Sequence, residues 1–356
     1  MDTFVDSSWY FLRYLTPRDE TRAWDPDLAK AWMPVHQYVG GSEHSNMHLV
    51  YCRFLFKALH DAGLLPIDEP AERLFCQGMG CKPAHRCPEH GWIKEEDVED
   101  GKHVACGAPV ESAVHKMSKS KLNVTSPDTI LEMSGADVLR VSILTAGPPD
   151  QDILYSDDSV IGAKRYLGRL WETIAAALPS LPPVGTDPAS GKGKDDRAVR
   201  RKTHQAIERV TDAVNRTFGF NTAISGTMEL LNTVRAAGDV SGPVLREAFE
   251  GLVLCLSPFA PHLAEELWER LGHPPSIFQH PWPAFDRAVA TEDEVEIVFQ
   301  VNGKVRSKRA FPVGAANADL ERAALADDKV KEALAGAAPA KVIVVPGKLV
   351  NVVVKK

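Results

Sequence analysis

The chain has 356 residues, 44% hydrophobic and 25% charged, with a formal net charge of −7. That length exceeds what one core usually organises, so two or three domains are expected, and the composition excludes a disordered chain. The acidic balance excludes a uniformly basic nucleic-acid binder, so any polyanion contact must be a local patch, and no run approaches the roughly 18 apolar residues of a membrane span.

The start, MDTFVDSSWY, is acidic and aromatic, unlike a signal or transit peptide. Residues 37–66 read as a short strand (Gln37–Val39), a glycine turn, and a long amphipathic helix carrying Met47, Val50, Tyr51, Phe54, Leu55 and Leu59 at three- and four-residue steps. RLFCQGMG, ending at Gly80, is a compact apolar strand closed by glycines. From about 80 to 113 the pattern breaks into charged, Cys/His-bearing loops, read as an insertion. Ser126 then caps a helix, followed by a second segment from Ala136. This strand–helix alternation suits an α/β nucleotide-binding domain over 1–157.

Beyond Asp157 the period becomes helical, with Ile161, Leu167, Leu170, Trp171 and Ile174 forming a stripe. A Pro/Gly/Ser-rich linker (179–196) leads to helices near 196–216, 221–237 and 243–272, the last bent at Pro258 and Pro261. Together they read as an α-helical bundle over 158–285. From Glu294 a strand period returns as a hairpin around Asn302-Gly303, then an Ala-rich helical stretch and a final strand pair, a small α+β domain over 290–356.

The chemistry concentrates in HKMSKSKLNV, 115–124. Lysines flanking small hydroxyl residues on a mobile loop can close over a triphosphate, their ammonium groups meeting the charge that gathers on departing pyrophosphate. The bland reading is a solvated basic loop. Its position, at the end of an α/β segment and directly before a helical domain, favours the first. Glu43 follows two glycines at the C-terminal lip of a strand, where α/β sheets bind nucleotides; it can accept ribose hydroxyls, cap a helix, or do both. Arg165 and Arg169 share a helix face and are either a phosphate clamp or a solvated face. Lys304, Arg306, Lys308 and Arg309, with Lys355 and Lys356, form the local basic patch that an acidic chain requires to meet a polyanion. Six cysteines in a long chain point to a reducing cytoplasm. Cys81, Cys87, His90 and Cys106 either hold a structural Zn²⁺ or are free residues, and their spacing is not a regular paired CxxC.

KMSKS at Lys116–Ser120, taken with its context, resembles the signature loop of class I aminoacyl-tRNA synthetases. DTFVDSSWYFLRY, YVGGSEHSNMHLVYCRFLFKALHDAGLL, DEPAERLFCQGMG, FNTAISGTMELLN, SPFAPHLAEELW and QVNGKVRSKRAFPV resemble the bacterial leucyl-tRNA synthetase family in the same order. The resemblance covers the chain except 80–113. It implies the second half of a class I Rossmann-type catalytic domain, then an anticodon-binding-type bundle and a tRNA-contacting C-terminal domain. It implies ATP, Mg²⁺ and leucine as reactants, tRNA(Leu) as partner, and a cytoplasmic setting. It makes Lys116, Met117, Ser118, Lys119 and Ser120 the catalytic loop, with Lys116 and Lys119 stabilising the leaving pyrophosphate and the serines adding hydrogen bonds. ATP contacts fall to Gly41, Glu43, His48, Gln77, Gly78 and Met79, with Gly78 letting the backbone approach adenine. Leucine contacts fall to Phe4, Ser7, Tyr10, Tyr38 and His44, although Phe4 and Tyr10 alone read as core. The family's zinc, when present, belongs to the other half of the molecule. The HIGH-type motif, the first strands of the nucleotide fold and the editing domain are not in this sequence, so a complementary N-terminal half is expected. The alternatives are a non-catalytic tRNA-binding subunit or truncated product, inactive alone, with Met1 either a real start or an internal methionine. A nucleotidyltransferase sharing the loop leaves the bundle and basic hairpin unexplained.

Overall fold

The structure, a computed structural model, describes residues 3–291 and 294–354; Lys355, Lys356, Met1 and Asp2 lie outside the described residues. The protein is a mixed α/β chain of many helices and small sheets, in two compact units. One runs to Asp196 and resumes over Ala206–Pro283; the other comprises Arg197–Gln205 and the chain from Ala284 on. Residues 1–157 and most of the helical region thus share one unit. Among the described residues no helix is long and apolar enough to cross a membrane.

The first unit opens with α1 (Thr3–Ser7), α2 (Tyr10–Arg13) and α3 (Pro26–Trp32). Asp25 caps α3, its side chain accepting from the backbone N–H groups of Asp27 and Leu28, and Pro26 occupies the first turn. Strand β1 (Tyr38–Gly41) runs through both glycines rather than stopping at Val39, and a 3₁₀ turn, Ser42–Asn46, carries the chain into α4 (His48–Asp61). β1 pairs in parallel with β2 (Leu74–Gln77), Tyr38 opposite Leu74 and Gly41 opposite Gln77. This sheet has only two strands. The helix predicted from its apolar stripe is present, but the stripe is largely uncovered. Cys52 and Phe56 are buried with Phe11 and Leu12, whereas Val50 and Phe54 are 54% and 71% exposed. Parallel sheets are normally covered on both faces by hydrophobic neighbours, so this is an open face.

The insertion is not loop. β3 (Gly80–Cys87) pairs with β4 (Gly91–Ile93) and with β7 (Glu111–Lys116), both antiparallel. Between them β5 (Val98–Glu99) and β6 (Lys102–His103) form a hairpin. Short β8 (Ile153–Leu154) lies parallel to the start of β3. After the loop at 117–126 come α5 (Pro127–Ser134), capped by Ser126 as expected, and α6 (Ala136–Thr145).

The bundle consists of α7 (Asp157–Ala177), α8 (Asp196–Asp212, prolonged by a π turn to Thr217), α9 (Phe220–Ala236), α10 (Gly242–Leu256) and α11 (Pro261–Arg270). The predicted bend at Pro258 and Pro261 is a full break, since an interior proline removes a helical N–H and clashes with the preceding turn. It is tied to α6, where Asp137 accepts from the Leu263 N–H at 2.7 Å and Arg140 donates to the Pro258 carbonyl at 2.8 Å. The stripe of α7 is Ala163, Tyr166, Leu167, Leu170 and Ile174; Ile161 is exposed and Trp171 carries the Arg270 guanidinium 4.7 Å from its ring centroid. The segment read as a linker is pinned: Asp196 accepts from the Gly193 N–H at 2.8 Å and from the Ser241 N–H and hydroxyl, both at 2.7 Å.

In the second unit, short α12 (Arg287–Ala290) precedes a four-stranded sheet in the order β10-β9-β12-β11. Its strands are β9 (Glu294–Val301), β10 (Lys304–Pro312), β11 (Lys341–Val345) and β12 (Leu349–Val353), covered by α13 (Asn317–Ala326) and α14 (Asp328–Leu334). Ile297, Phe299 and Val301 alternate into the core with Val350 and Val352, the period of two expected of a half-buried strand. Asn302 and Gly303 both have positive φ, 46° and 79°, the hairpin turn predicted from the dipeptide.

Candidate functional site

The loop at 116–123 starts where β7 ends. Lys116 closes the strand, Lys119–Lys121 make one 3₁₀ turn, and Leu122 takes a left-handed φ of 56°. The residue that shapes the loop is one the sequence reading did not single out. Asn123 is buried; its amide donates to the Lys82 carbonyl at 3.0 Å and the His115 carbonyl at 3.4 Å, and its oxygen accepts from the Ser118 N–H at 2.9 Å. Met117 packs over Gly80, where an added Cβ would lie 2.8 Å from its methyl group, and the Met117 N–H bonds the Gly80 carbonyl. The Ser118 and Ser120 hydroxyls are 3.2 Å apart. Lys119 is exposed, with no ion-pair partner among the described residues. Asn123→Ala removes three hydrogen bonds and orphans the Ser118 N–H, a local cost of about 1–3 kcal/mol. The expected result is faster amide exchange over 115–121 with the bundle unchanged; an unaltered exchange pattern counts against this account.

The loop reaches back to the sheet. Lys116 Nζ lies 2.7 Å from Glu43 Oε1 across 73 residues of sequence. The ammonium holds the Glu43 carboxyl below the usual carboxylate range, so it is ionised at neutral pH. A side chain at Gly41 would collide with that carboxylate, so the second glycine makes room for Glu43. The other carboxylate oxygen of Glu43, Nδ1 of His44 and Nδ1 of His48 are buried atoms with no hydrogen-bond partner among the described residues. Unpaired buried polar atoms are costly, and three of them at the lip of one strand are what a polar ligand would satisfy.

His48 Nε2 is 2.8 Å from the Tyr38 hydroxyl, which is 3.2 Å from that of Tyr10. Burial pushes the Tyr38 phenol up and the His48 imidazole down, so both are neutral near pH 7. Phe4 stacks on Tyr51, ring centroids 5.6 Å apart, and Ser7 donates to the Phe4 carbonyl. Tyr10, Tyr38, His44 and His48 are therefore one cluster, and Phe4 and Ser7 belong to a neighbouring one.

Gln77 ends β2, the Gly78 N–H bonds the Pro149 carbonyl, and the Met79 N–H bonds the Asp152 carboxylate at 2.8 Å. The space a side chain would need at Gly78 is filled by the Gln151–Asp152 backbone. That close approach of the backbone by itself demands glycine here.

Arg165 and Arg169 are both exposed on α7, opposite its buried stripe. In the second unit Lys304, Arg306, Lys308 and Arg309 are exposed on edge strand β10. Lys308 pairs with Glu296 at 2.8 Å and Arg309 with Asp327 at 3.0 Å. Lys304 and Arg306 have no ion-pair partner among the described residues, and the register slips between Val305 and Ser307. Charged, irregular edges also keep strands from pairing with other molecules.

The predicted metal set needs correction. Cys87, His90, His103 and Cys106 present ligand atoms all within 4.8 Å of one another. Cys81 is not among them; it sits at the far end of β3, opposite Lys116. Six residues of extended strand separate Cys81 from Cys87, roughly 20 Å, and His103 takes its place.

Residues 196–321 match the family described as the anticodon-binding domain of tRNA ligase. The leucine–tRNA ligase of Desulfatibacillum aliphaticivorans is 44% identical over 369 residues, covering 99% of this chain and 42% of that protein. The leucine–tRNA ligase of Synechococcus sp. (strain CC9605) is 45% identical, covering 99% of this chain and 41% of that one. The crystal structure of the ternary complex of the Agrobacterium radiobacter K84 agnB2 LeuRS, tRNA and LeuAMS aligns with a TM-score of 0.75 at 32% identity. It covers 100% of this chain and 43% of that one. Along its length the chain is similar to the C-terminal part of leucine–tRNA ligases. It spans about two fifths of the length of the curated relatives it matches.

Proposed function

We propose that this chain is the C-terminal part of a class I leucine–tRNA ligase, contributing the KMSKS side of the site where leucine is activated by ATP and then joined to tRNA(Leu). In that reaction the leucine carboxylate attacks the α-phosphorus of ATP, forming leucyl-adenylate and releasing pyrophosphate. A hydroxyl of the terminal tRNA ribose then attacks the leucyl carbonyl, releasing AMP. ATP enters as its Mg²⁺ complex. No protein nucleophile is needed, because such catalysis is positioning and electrostatics.

The observation that carries the reading is the meeting of the KMSKS loop with Glu43 at 2.7 Å, beside three buried polar atoms that lack partners. Glu43 is suited to the ATP ribose hydroxyls, which would take over its free oxygen. Lys116 would then leave Glu43 and join Lys119 on the phosphates. The cluster of Tyr10, Tyr38, His44 and His48 suits a small amino acid and its adenylate, with neutral aromatic surfaces for the aliphatic side chain. Arg165, Arg169, Lys304 and Arg306, all exposed, are suited to meeting tRNA phosphates. The two-stranded sheet and the bare face of α4 support completion by the preceding part of such an enzyme, which would carry the HIGH-type motif and the editing domain.

Leucine-dependent exchange of pyrophosphate into ATP tests the proposal. The expected result is exchange when the chain is joined to, or mixed with, the N-terminal part of a leucine–tRNA ligase, and none from either part alone. Failure of the combined parts, each shown to be folded, would overturn it.

A further inference from the structure

The insertion at 80–113 holds two turns of the same design. Cys87-Pro-Glu-His90-Gly91 and His103-Val-Ala-Cys106-Gly107 each place two ligand residues three apart and end on a glycine with left-handed φ, 74° and 70°. The left-handed glycine turns each chain back so that both ligands of the pair face the same point. The Gly107 N–H closes the second turn on the His103 carbonyl at 2.8 Å. Cys87 and His103 are buried, while His90 and Cys106 lie at the rim.

Three of the separations between ligand atoms are close to those of a tetrahedral centre, and all lie within 4.8 Å. Cys87 Sγ is 3.5 Å from His90 Nδ1 and 3.6 Å from Cys106 Sγ, and His103 Nδ1 is 3.2 Å from Cys106 Sγ. Ligands about 2.3 Å (sulfur) and 2.0–2.1 Å (nitrogen) from a tetrahedral zinc lie roughly 3.4–3.8 Å apart. The two sulfurs are well beyond the ~2.05 Å of a disulfide. The insertion also has little else to hold it: Ala84, Ile93, Cys87 and His103 are its buried side chains. Units below about 40 residues usually need metal, disulfides or association to stay folded.

We infer that Cys87, His90, His103 and Cys106 bind one Zn²⁺ and that this centre positions the KMSKS loop. The mechanical link is Trp92, two residues after ligand His90. Its ring meets the His115 ring edge-on at 5.4 Å and carries the Lys121 ammonium 5.2 Å from its centroid, while Lys121 Nζ lies 2.8 Å from His115 Nδ1. Strand β3 runs from the metal ligand Cys87 to Cys81, paired with Lys116. The loop is thus attached to the metal centre by both a strand pair and an aromatic platform. The metal site does not depend on the function proposed above; only the importance of the loop does.

Elemental analysis of the purified full chain is expected to give one zinc per chain, and Co²⁺ exchanged for it is expected to show tetrahedral bands with thiolate charge transfer. Cys106→Ser and His103→Ala should lose the metal, and Cys81→Ser should keep it. Wild-type chain without stoichiometric metal, or retention by Cys106→Ser and His103→Ala, overturns the site. Chelation should then speed amide exchange over 80–122 and leave 157–270 unchanged. Trp92→Leu should keep the zinc but speed exchange at 115–121. Metal loss with unaltered exchange at 115–121 overturns the link to the loop.

Discussion

On the proposed function, replacing Lys119 by Ala in the chain joined to the N-terminal part of a leucine–tRNA ligase is expected to lower the rate of leucine-dependent pyrophosphate exchange by roughly two to three orders of magnitude, the usual effect of removing one group that faces transition-state charge. Lys119 is exposed and unpaired by any carboxylate among the described residues, so the substitution removes a charge without disturbing the fold. An unchanged circular dichroism melt checks that point. Lys116→Ala should cost a comparable factor for a different reason. Its ammonium rests on Glu43 in this structure, so its loss removes both the proposed cation for pyrophosphate and the counter-charge of the proposed ribose acceptor. The two variants separate kinetically. Lys119→Ala should act mainly on the rate at saturating ATP, whereas Lys116→Ala should also alter the apparent affinity for ATP. A loss smaller than about tenfold for Lys119→Ala would remove the loop from the chemistry, since a bystander cation contributes little at an exposed position.

What could be read from sequence was what is local. The Ser126 cap and the Asn302-Gly303 turn each signal through a few adjacent residues and are where they were expected, whereas the glycines before Glu43, read as a turn, lie inside β1. Contacts between distant segments were not legible. Nothing near Glu43 announces a partner 73 residues away, and Asn123 looks like an ordinary loop residue until Lys82 and His115 are folded around it. The stripe on α4 was correctly periodic, but periodicity does not say whether a face is covered, and this one is largely bare. The metal set was misread because Cys81 is near Cys87 in sequence; the insertion forms strands, and a strand carries residues apart as fast as a chain can. The repeated ligand-x-x-ligand-glycine pattern at 87–91 and 103–107 was the signal that could have found His103.

The largest stability effect is expected at Arg246, in a part of the molecule remote in sequence from the loop. Arg246 is 7% exposed. Its guanidinium donates to the Pro182 carbonyl at 2.6 Å, the Glu250 carboxylate at 2.9 Å and the Leu271 carbonyl at 2.9 Å. Glu250 also meets His273 Nε2 at 2.9 Å, and the His273 ring stacks on Trp268 with centroids 3.7 Å apart. One cation therefore joins the 179–196 segment, α10 and the end of α11. Arg246→Met keeps the apolar stem but leaves two carbonyls without a donor and Glu250 without its strongest partner. Breaking a buried pair from one side costs about 3–5 kcal/mol, a large part of the roughly 5–15 kcal/mol by which folded domains are stable. Thermal denaturation followed by circular dichroism should show a fall on the order of 10 °C; a variant melting within about 2 °C of the parent would mean the network contributes little. Arg246→Met with Glu250→Leu separates the charge from the carbonyls. Removing both members of a buried pair is often neutral where removing one is not, so the double variant should recover part of the loss. The part it does not recover measures the two orphaned carbonyls, Pro182 and Leu271, and hence how far the segment once read as a linker is held by the bundle.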